Sequence, residues 1–113
     1  MTSEQRTGFC VIYRFRVHTG QEGDFQIGWA RLTEAIRDHR GGLGSRLHHV
    51  DGDLWLAYAQ WPDRATWEAA QGLPSADPAA AAQMGGAMIE SLEPMLLEPT
   101  EDLLVRARLV ERG

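Results

Sequence analysis

The stretch LGSRLHHVDGDLWLAYAQW, residues 43–61, gives the clearest indication of the fold of this chain. It contains two β-rich runs, 43–50 and 54–61, on either side of Asp51-Gly52-Asp53. An Asp-Gly pair between apolar runs is a strong hairpin signal, because glycine readily supplies the positive φ that such tight turns need. The sequence therefore predicts two antiparallel strands in this region.

The segment after the hairpin, QWPDRATWEAA at residues 60–70, marks a change from strand to helix. Pro62 has no N–H to donate to a sheet, so it ends the second strand. The carboxylate of Asp63 can accept hydrogen bonds from the free N–H groups at the start of a helix. The sequence therefore predicts a short helix over 64–71.

Before the hairpin, the chain reads as one strand followed by one long helix. The run FCVIYRFRV, residues 9–17, is rich in β-forming residues and alternates in its second half. Residues 22–39 have an apolar stripe at helical spacing, made of Phe25, Trp29, Leu32 and Ile36. Gly41-Gly42 follows, and a glycine is the usual stop at a helix C-terminus.

A third helix is predicted after Asp77-Pro78, with the aspartate as cap and the proline at the first helical position. Its apolar stripe is predicted to consist of Met84, Met88 and Leu92. Gly85-Gly86 lies inside this helix, although glycine disfavours a helix interior. We expect the two glycines to allow close packing against a neighbour or a local bend.

The predicted order of elements is strand, helix, strand, strand, helix, helix, strand, with the last strand in two short runs, 94–99 and 101–105. This is a ferredoxin-like βαββαβ pattern with an extra helix, in the α+β class. It predicts an antiparallel four-stranded sheet with helices on one face. Residues 1–8 and 106–113 are expected to be tails around a single domain of residues 9–105.

Composition excludes several classes of protein. The 113 residues are 43% hydrophobic and 24% charged, which is typical of a folded domain. The net charge of −5 and the absence of a basic stripe argue against nucleic-acid binding. A single cysteine, Cys10, excludes a disulfide within the chain. With no apolar signal segment and no run of about 20 apolar residues, we expect a cytoplasmic protein without membrane spans.

Helices on one side leave the other face of the predicted sheet uncovered. On the first strand, Cys10 and Ile12 lie opposite Val11 and Tyr13, so both faces carry apolar residues. Apolar patches of this kind usually mark an interface. We therefore expect a homodimer that packs the two open sheet faces together.

Short motifs in a fixed order through residues 9–105 resemble the antibiotic biosynthesis monooxygenase-like family of the dimeric α+β barrel superfamily. They comprise a Val-x-x-Gly-x-Glu strand end, a mid-helix tryptophan, a Gly-Gly turn, an Arg-Leu-His strand and a Trp-x-Asp-Arg joint. The residues are Val17, Gly20, Glu22, Trp29, Gly41, Gly42, Arg46, Leu47, His48, Trp61, Asp63 and Arg64.

The resemblance implies an O₂-dependent monooxygenase that oxidises a phenolic or quinol-type aromatic substrate without metal, flavin or other cofactor. The alternative is a non-enzymatic barrel that binds a small apolar ligand or serves as an accessory protein, because one fold hosts many functions. A haem-degrading branch of the family fits poorly. Its strand asparagine falls on Tyr13, and no histidine follows His49 to bind iron.

Within that resemblance, Tyr13 and His49 are the candidate catalytic residues, since a phenol and an imidazole can handle a phenolic proton. Tyr13 is otherwise a core tyrosine, and His49 a half-exposed histidine or one that packs across strands. His48 and His49 point to opposite faces and are not expected to bind a metal together. The predicted substrate-binding residues are Phe15, Trp29, Trp55, Trp61, Trp67 and Met88.

The alternation Trp55-x-Ala57-x-Ala59-x-Trp61 allows two readings. The small alanines can let a helix or a second sheet approach closely. Alternatively, two alanines between two tryptophans leave a slot for a flat ligand. Trp29 and Trp67 are likewise either packing residues or walls of a cleft.

Overall fold

The computed structural model describes residues 6–110. The elements follow the predicted order with one strand more. They are β1 (Phe9–Val17), α1 (Glu22–Arg40), β2 (Ser45–Asp51), β3 (Leu54–Trp61), α2 (Arg64–Gln71), α3 (Pro78–Gly86), β4 (Met88–Ser91) and β5 (Met95–Leu97).

The sheet is antiparallel and has the order β2-β3-β1-β4, which is the ferredoxin-like order. β5 pairs with β1 along the same edge as β4. On the other edge, β1 and β3 pair from Phe9 opposite Trp61 to Arg16 opposite Leu54. The α+β ferredoxin-like prediction is confirmed, and β1 is the central strand of the sheet.

The predicted end of α1 and the predicted starts of α2 and α3 are confirmed. α1 stops at Gly41, whose φ of 81° lies in the left-handed region that favours glycine. Asp63 caps α2 by accepting from the Thr66 N–H at 2.7 Å. Asp77 caps α3 by accepting from the Ala80 N–H at 3.0 Å, and Pro78 opens that helix.

The extent of the third helix was predicted wrongly. α3 ends at Gly86, so Met88 lies at the start of β4 and not on a helix, and Leu92 follows that strand. Two glycines weaken the helix, while the backbone of β4 gains sheet hydrogen bonds by pairing with β1. Residues 101–105, predicted as a strand, have no regular structure.

The close helix packing expected at Gly85-Gly86 is found instead at Gly28. A Cβ at Gly28 would lie 2.6 Å from the Met84 nitrogen and 2.9 Å from the Ala80 oxygen, whereas one at Gly85 or Gly86 would meet nothing within 4 Å. α1 and α3 therefore touch backbone to backbone at Gly28.

The core lies between the helices and one face of the sheet. One cluster, around Phe15, Val17 and Phe25, joins β1 to α1. A second cluster, around Phe9, Val11 and Trp61, lies near the start of β1. Val11 and Tyr13 therefore lie on the face that the helices cover. No helix within residues 6–110 is long and apolar enough to cross a membrane.

Candidate functional site

A cavity of about 360 Å³ lies between the sheet and the helices. β1, β3, α1 and the end of α2 line it, together with the loop at residues 72–76. Its apolar wall consists of Phe15, Trp29, Ala57, Ala59, Trp61 and Met84. The volume lies in the range of small-molecule sites, and the wall suits an aromatic ring.

Small residues on β3 account for the open space. Ala57 and Ala59 face the helices and line the cavity, with Trp61 beyond them on the same strand face. Methyl side chains at these positions cannot fill the gap beneath α1. The open space therefore lies beside Ala57, Ala59 and Trp61, whereas Trp55, at the other end of the alternation, does not line the cavity.

Tyr13 is one of the polar residues that line the cavity. β1 places its ring in the cavity wall, and its hydroxyl accepts a hydrogen bond of 2.9 Å from Trp67 Nε1. Burial raises the pKa of the Tyr13 phenol, and the Trp67 hydrogen bond opposes this only in part. Tyr13 is therefore protonated at neutral pH and has an O–H to donate.

Trp67 contacts Tyr13 from outside the cavity. The indole lies on α2 and packs against Phe9, with the ring centroids 5.6 Å apart. It is not part of the cavity lining, so its connection to the cavity runs through the Tyr13 hydroxyl. The Asp63 cap that starts α2 one turn earlier thus also fixes the position of this indole.

The remaining polar groups of the lining are few. They are Thr33, Arg40, Ser45, Gln60, Gln71 and Ser75. The Arg40 guanidinium donates to the carbonyl oxygens of Pro74 at 3.0 Å and His39 at 3.1 Å. Trp61 Nε1 is buried and has no acceptor within residues 6–110, so this wall contains a donor that the described chain does not satisfy.

Besides Trp67, three predicted site residues lie outside the cavity lining. His49 is on the helix-facing side of β2, but its ring packs on Trp55 at 4.9 Å and its Nε2 lies 2.9 Å from the Gly52 oxygen at the hairpin. Trp55 packs on Phe25, and Met88 packs against the same core cluster. Among the described residues, none of these three lines the cavity.

The family model for antibiotic biosynthesis monooxygenases matches residues 8–82, well over half of the chain. The chain belongs to the antibiotic biosynthesis monooxygenase family. This match includes both Tyr13 and Trp67. A comparison with curated protein sequences gave no match.

Solved structures share this antibiotic biosynthesis monooxygenase fold. SnoaB from Streptomyces nogalater, a cofactor-independent oxygenase, superposes with a TM-score of 0.70 at 21% identity, over 87% of this chain and 98% of that one. A Caulobacter crescentus protein described as a putative antibiotic biosynthesis monooxygenase gives 0.69 at 17% identity, over 84% and 92%. Rv0793 from Mycobacterium tuberculosis gives 0.66 at 17% identity, over 87% and 100%. At these identities the likeness is one of fold.

Sequence reasoning missed part of the site in this member of the antibiotic biosynthesis monooxygenase family. Arg40, Gln71 and the loop at 72–76 line the cavity, but they lie on helix ends and a loop that give no aromatic or catalytic motif. The Gly41-Gly42 pair next to Arg40 is the one sequence feature that could have drawn attention to this end of the cavity. A Cβ at Gly42 would lie 3.1 Å from Ile36 Cγ2 and 3.6 Å from the Trp61 ring, so the glycine lets the chain pass close to these two lining residues.

Proposed function

We propose that this protein is a cofactor-independent monooxygenase that oxidises a phenolic or quinol-type aromatic in the 360 Å³ cavity. The observation that carries the proposal is the Tyr13 hydroxyl, a protonated donor in an otherwise mainly apolar wall and held by Trp67. The membership in the antibiotic biosynthesis monooxygenase family supports the same reaction class.

Oxidation of a phenolate by O₂ requires few groups from the protein. The phenolate form of the substrate gives an electron to O₂, the two radicals combine at a ring carbon, and loss of water leaves a quinone. One oxygen atom of O₂ enters the product and the other leaves as water. A Tyr13 O–H aimed at the substrate oxygen stabilises the phenolate and so favours the first step.

The second candidate is a binding protein without catalysis. One observation favours it: no histidine and no carboxylate appears in the cavity lining among residues 6–110, so the lining has no conventional general base. A monooxygenase built this way must accept substrates that ionise readily by themselves. The two candidates therefore differ in whether bound hydroquinones consume O₂.

Oxygen uptake with a panel of hydroquinones and anthrones tests the proposal. We expect uptake by the native protein and a rate roughly 10–100-fold lower in Tyr13→Phe, because a stabilising hydrogen bond to the developing phenolate is lost. Tyr58→Phe is the matched control, since Tyr58 pairs with Ile12 on the opposite sheet face. Full activity in Tyr13→Phe contradicts the proposed role. No uptake across the panel, with ligands that still raise the melting temperature, favours the binding protein.

A further inference from the structure

The cavity lining has a marked charge asymmetry. Arg40 is the one lining residue with a formal charge at neutral pH, and no Asp or Glu of the described chain lines the cavity. This occurs in a protein with 16 acidic and 11 basic residues. The one formal charge in the described lining is therefore positive, although the molecule as a whole is negative.

No carboxylate within residues 6–110 forms an ion pair with Arg40. Four other arginines lie within 4 Å of a carboxylate oxygen: Arg16, Arg31, Arg37 and Arg64. Within residues 6–110, Arg40 has no such partner and bonds only the neutral carbonyls of His39 and Pro74. These two bonds fix the guanidinium but use only two of its five N–H donors, and the rest stay available.

We propose that the cavity accepts an aromatic ligand with a carboxylate or similarly acidic substituent, which pairs with Arg40 while the ring lies against Trp29 and Ala57. Planar guanidinium groups bind carboxylates through paired hydrogen bonds, which makes arginine a common choice for this task. The proposal rests on the proposed function for the site, since it names the substrate class of the same cavity.

Arg40 also has two effects that do not depend on the ligand. It is the last residue of α1, where a cation is favourable next to the helix C-terminus. Its bond to Pro74 also tethers the loop at 72–76, which lines the cavity. Both effects act equally on charged and neutral ligands. A pair of ligands that differ only in charge therefore distinguishes these structural effects from direct pairing of Arg40 with a carboxylate.

The test is calorimetric binding of 2-naphthoate and its neutral isostere 2-naphthamide. We expect the native protein to bind the carboxylate about ten-fold more tightly at low ionic strength, as a charge-assisted hydrogen bond implies. In Arg40→Gln this preference should disappear while the affinity for the amide is kept. Arg37→Gln is the matched control, because it removes the same charge from an exposed site on the same helix and should keep the preference.

Four outcomes overturn the proposal. The native protein could bind neither probe, or bind the amide as well as the carboxylate. The Arg40→Gln variant could keep the ten-fold preference, or lose affinity for both probes equally. The last result would assign Arg40 to the loop tether alone. Neither probe has an oxidisable hydroxyl, so failure here is distinct from failure of the oxygen-uptake experiment. Conversely, a protein that consumes no O₂ can still show the carboxylate preference.

Discussion

The Tyr13–Trp67 pair links two separate elements at a single hydrogen bond. Trp67 donates from α2, and Tyr13 receives on the central strand. Because the phenol oxygen accepts from the indole, its own O–H remains free to donate a hydrogen bond to another group. A buried tyrosine with its oxygen already satisfied on one side is better suited to hold an oxyanion than to remove a proton, since its own pKa is raised.

Alkaline titration of the two tyrosines of the chain measures the pKa of their phenols in the folded state. Burial raises the pKa of Tyr13, and burial together with the Cys10 contact raises the pKa of Tyr58 above the usual 10.0. At a pH near 10.0 the unfolded chain should be half ionised, whereas the folded protein should show much less tyrosinate in near-ultraviolet absorbance. Half-ionisation of both residues at that pH in the folded state would contradict the structure.

The same shift has a consequence for stability, and its sign follows from proton binding. Both phenols hold their protons more tightly in the folded state. The contribution to the free energy of unfolding is therefore complete below the unfolded pKa of about 10 and is lost as the pH rises through the folded pKa. Urea unfolding at neutral and alkaline pH measures this loss.

At the level of single residues, the sequence predicted the tyrosine but not the arginine. Tyr13 was a candidate through the resemblance to the family, because strand alternation alone does not say which sheet face the helices cover. His49 was a candidate on the same ground, but it lies at the hairpin end of β2, away from the cavity, and alternation says nothing of position along a strand. Arg40 enters the cavity through packing of a helix end against a distant loop, which no local pattern reveals.

Among the helices, the contact of α1 with α3 depends on Gly28. Its missing side chain lets the backbone of α3 come within contact distance at Ala80 and Met84, and Met84 lines the cavity. Any side chain at Gly28 must push α3 away. The width of this side of the cavity is therefore set by a glycine on the neighbouring helix.

Gly28→Ala should lower the free energy of unfolding by about 2 kcal/mol, because an overpacked backbone contact must be relieved by moving the helix. Gly23→Ala is the matched control on the same helix. A Cβ there meets nothing within 4 Å, so better helix propensity should raise stability by about 0.5 kcal/mol. Chemical denaturation measures both, and equal effects of the two substitutions would argue against the close helix contact.

Element boundaries were predictable where a capping residue marks them. Asp63, Asp77 and Gly41 fixed helix ends because their geometry is local. The end of α3 was not predictable in this way, since the apolar spacing of Met84 and Met88 fits a helix that continues. Pairing with β1, more than seventy residues earlier in the chain, gives Met88–Ser91 its strand structure, and such long-range pairing leaves no periodic signal of its own.

One face of the sheet is not covered by the helices. Ile12, Tyr58, Leu56 and Leu54 lie on this face, as the β1–β3 register requires, and Met95 lies beside Ile12. Arg14 Nε on the same face is buried without an acceptor within residues 6–110. The segment at 98–110 adds exposed leucines, with Leu103 at 91% exposure.

We propose that a second copy of the chain covers this face, with the segment around Pro99 to Val105 packing against the partner. Sedimentation should show a dimer at micromolar concentration. Leu56→Arg should shift it to monomer, because a second cation would be buried at the interface directly opposite Arg14. Ile27→Arg is the control, since Ile27 is 52% exposed on the opposite side of the molecule, on α1. A native monomer, or a Leu56→Arg dimer, would refute this assembly.

The strand order also governs when the sheet can be completed during synthesis. β1 leaves the ribosome first, yet one of its two edges is covered only by β4 and β5, at residues 88–97. The long loop between β1 and these two strands must close before their pairing contributes any stability, and this loop closure slows folding. Until then the nascent central strand has a bare edge, the arrangement most prone to pairing with other chains.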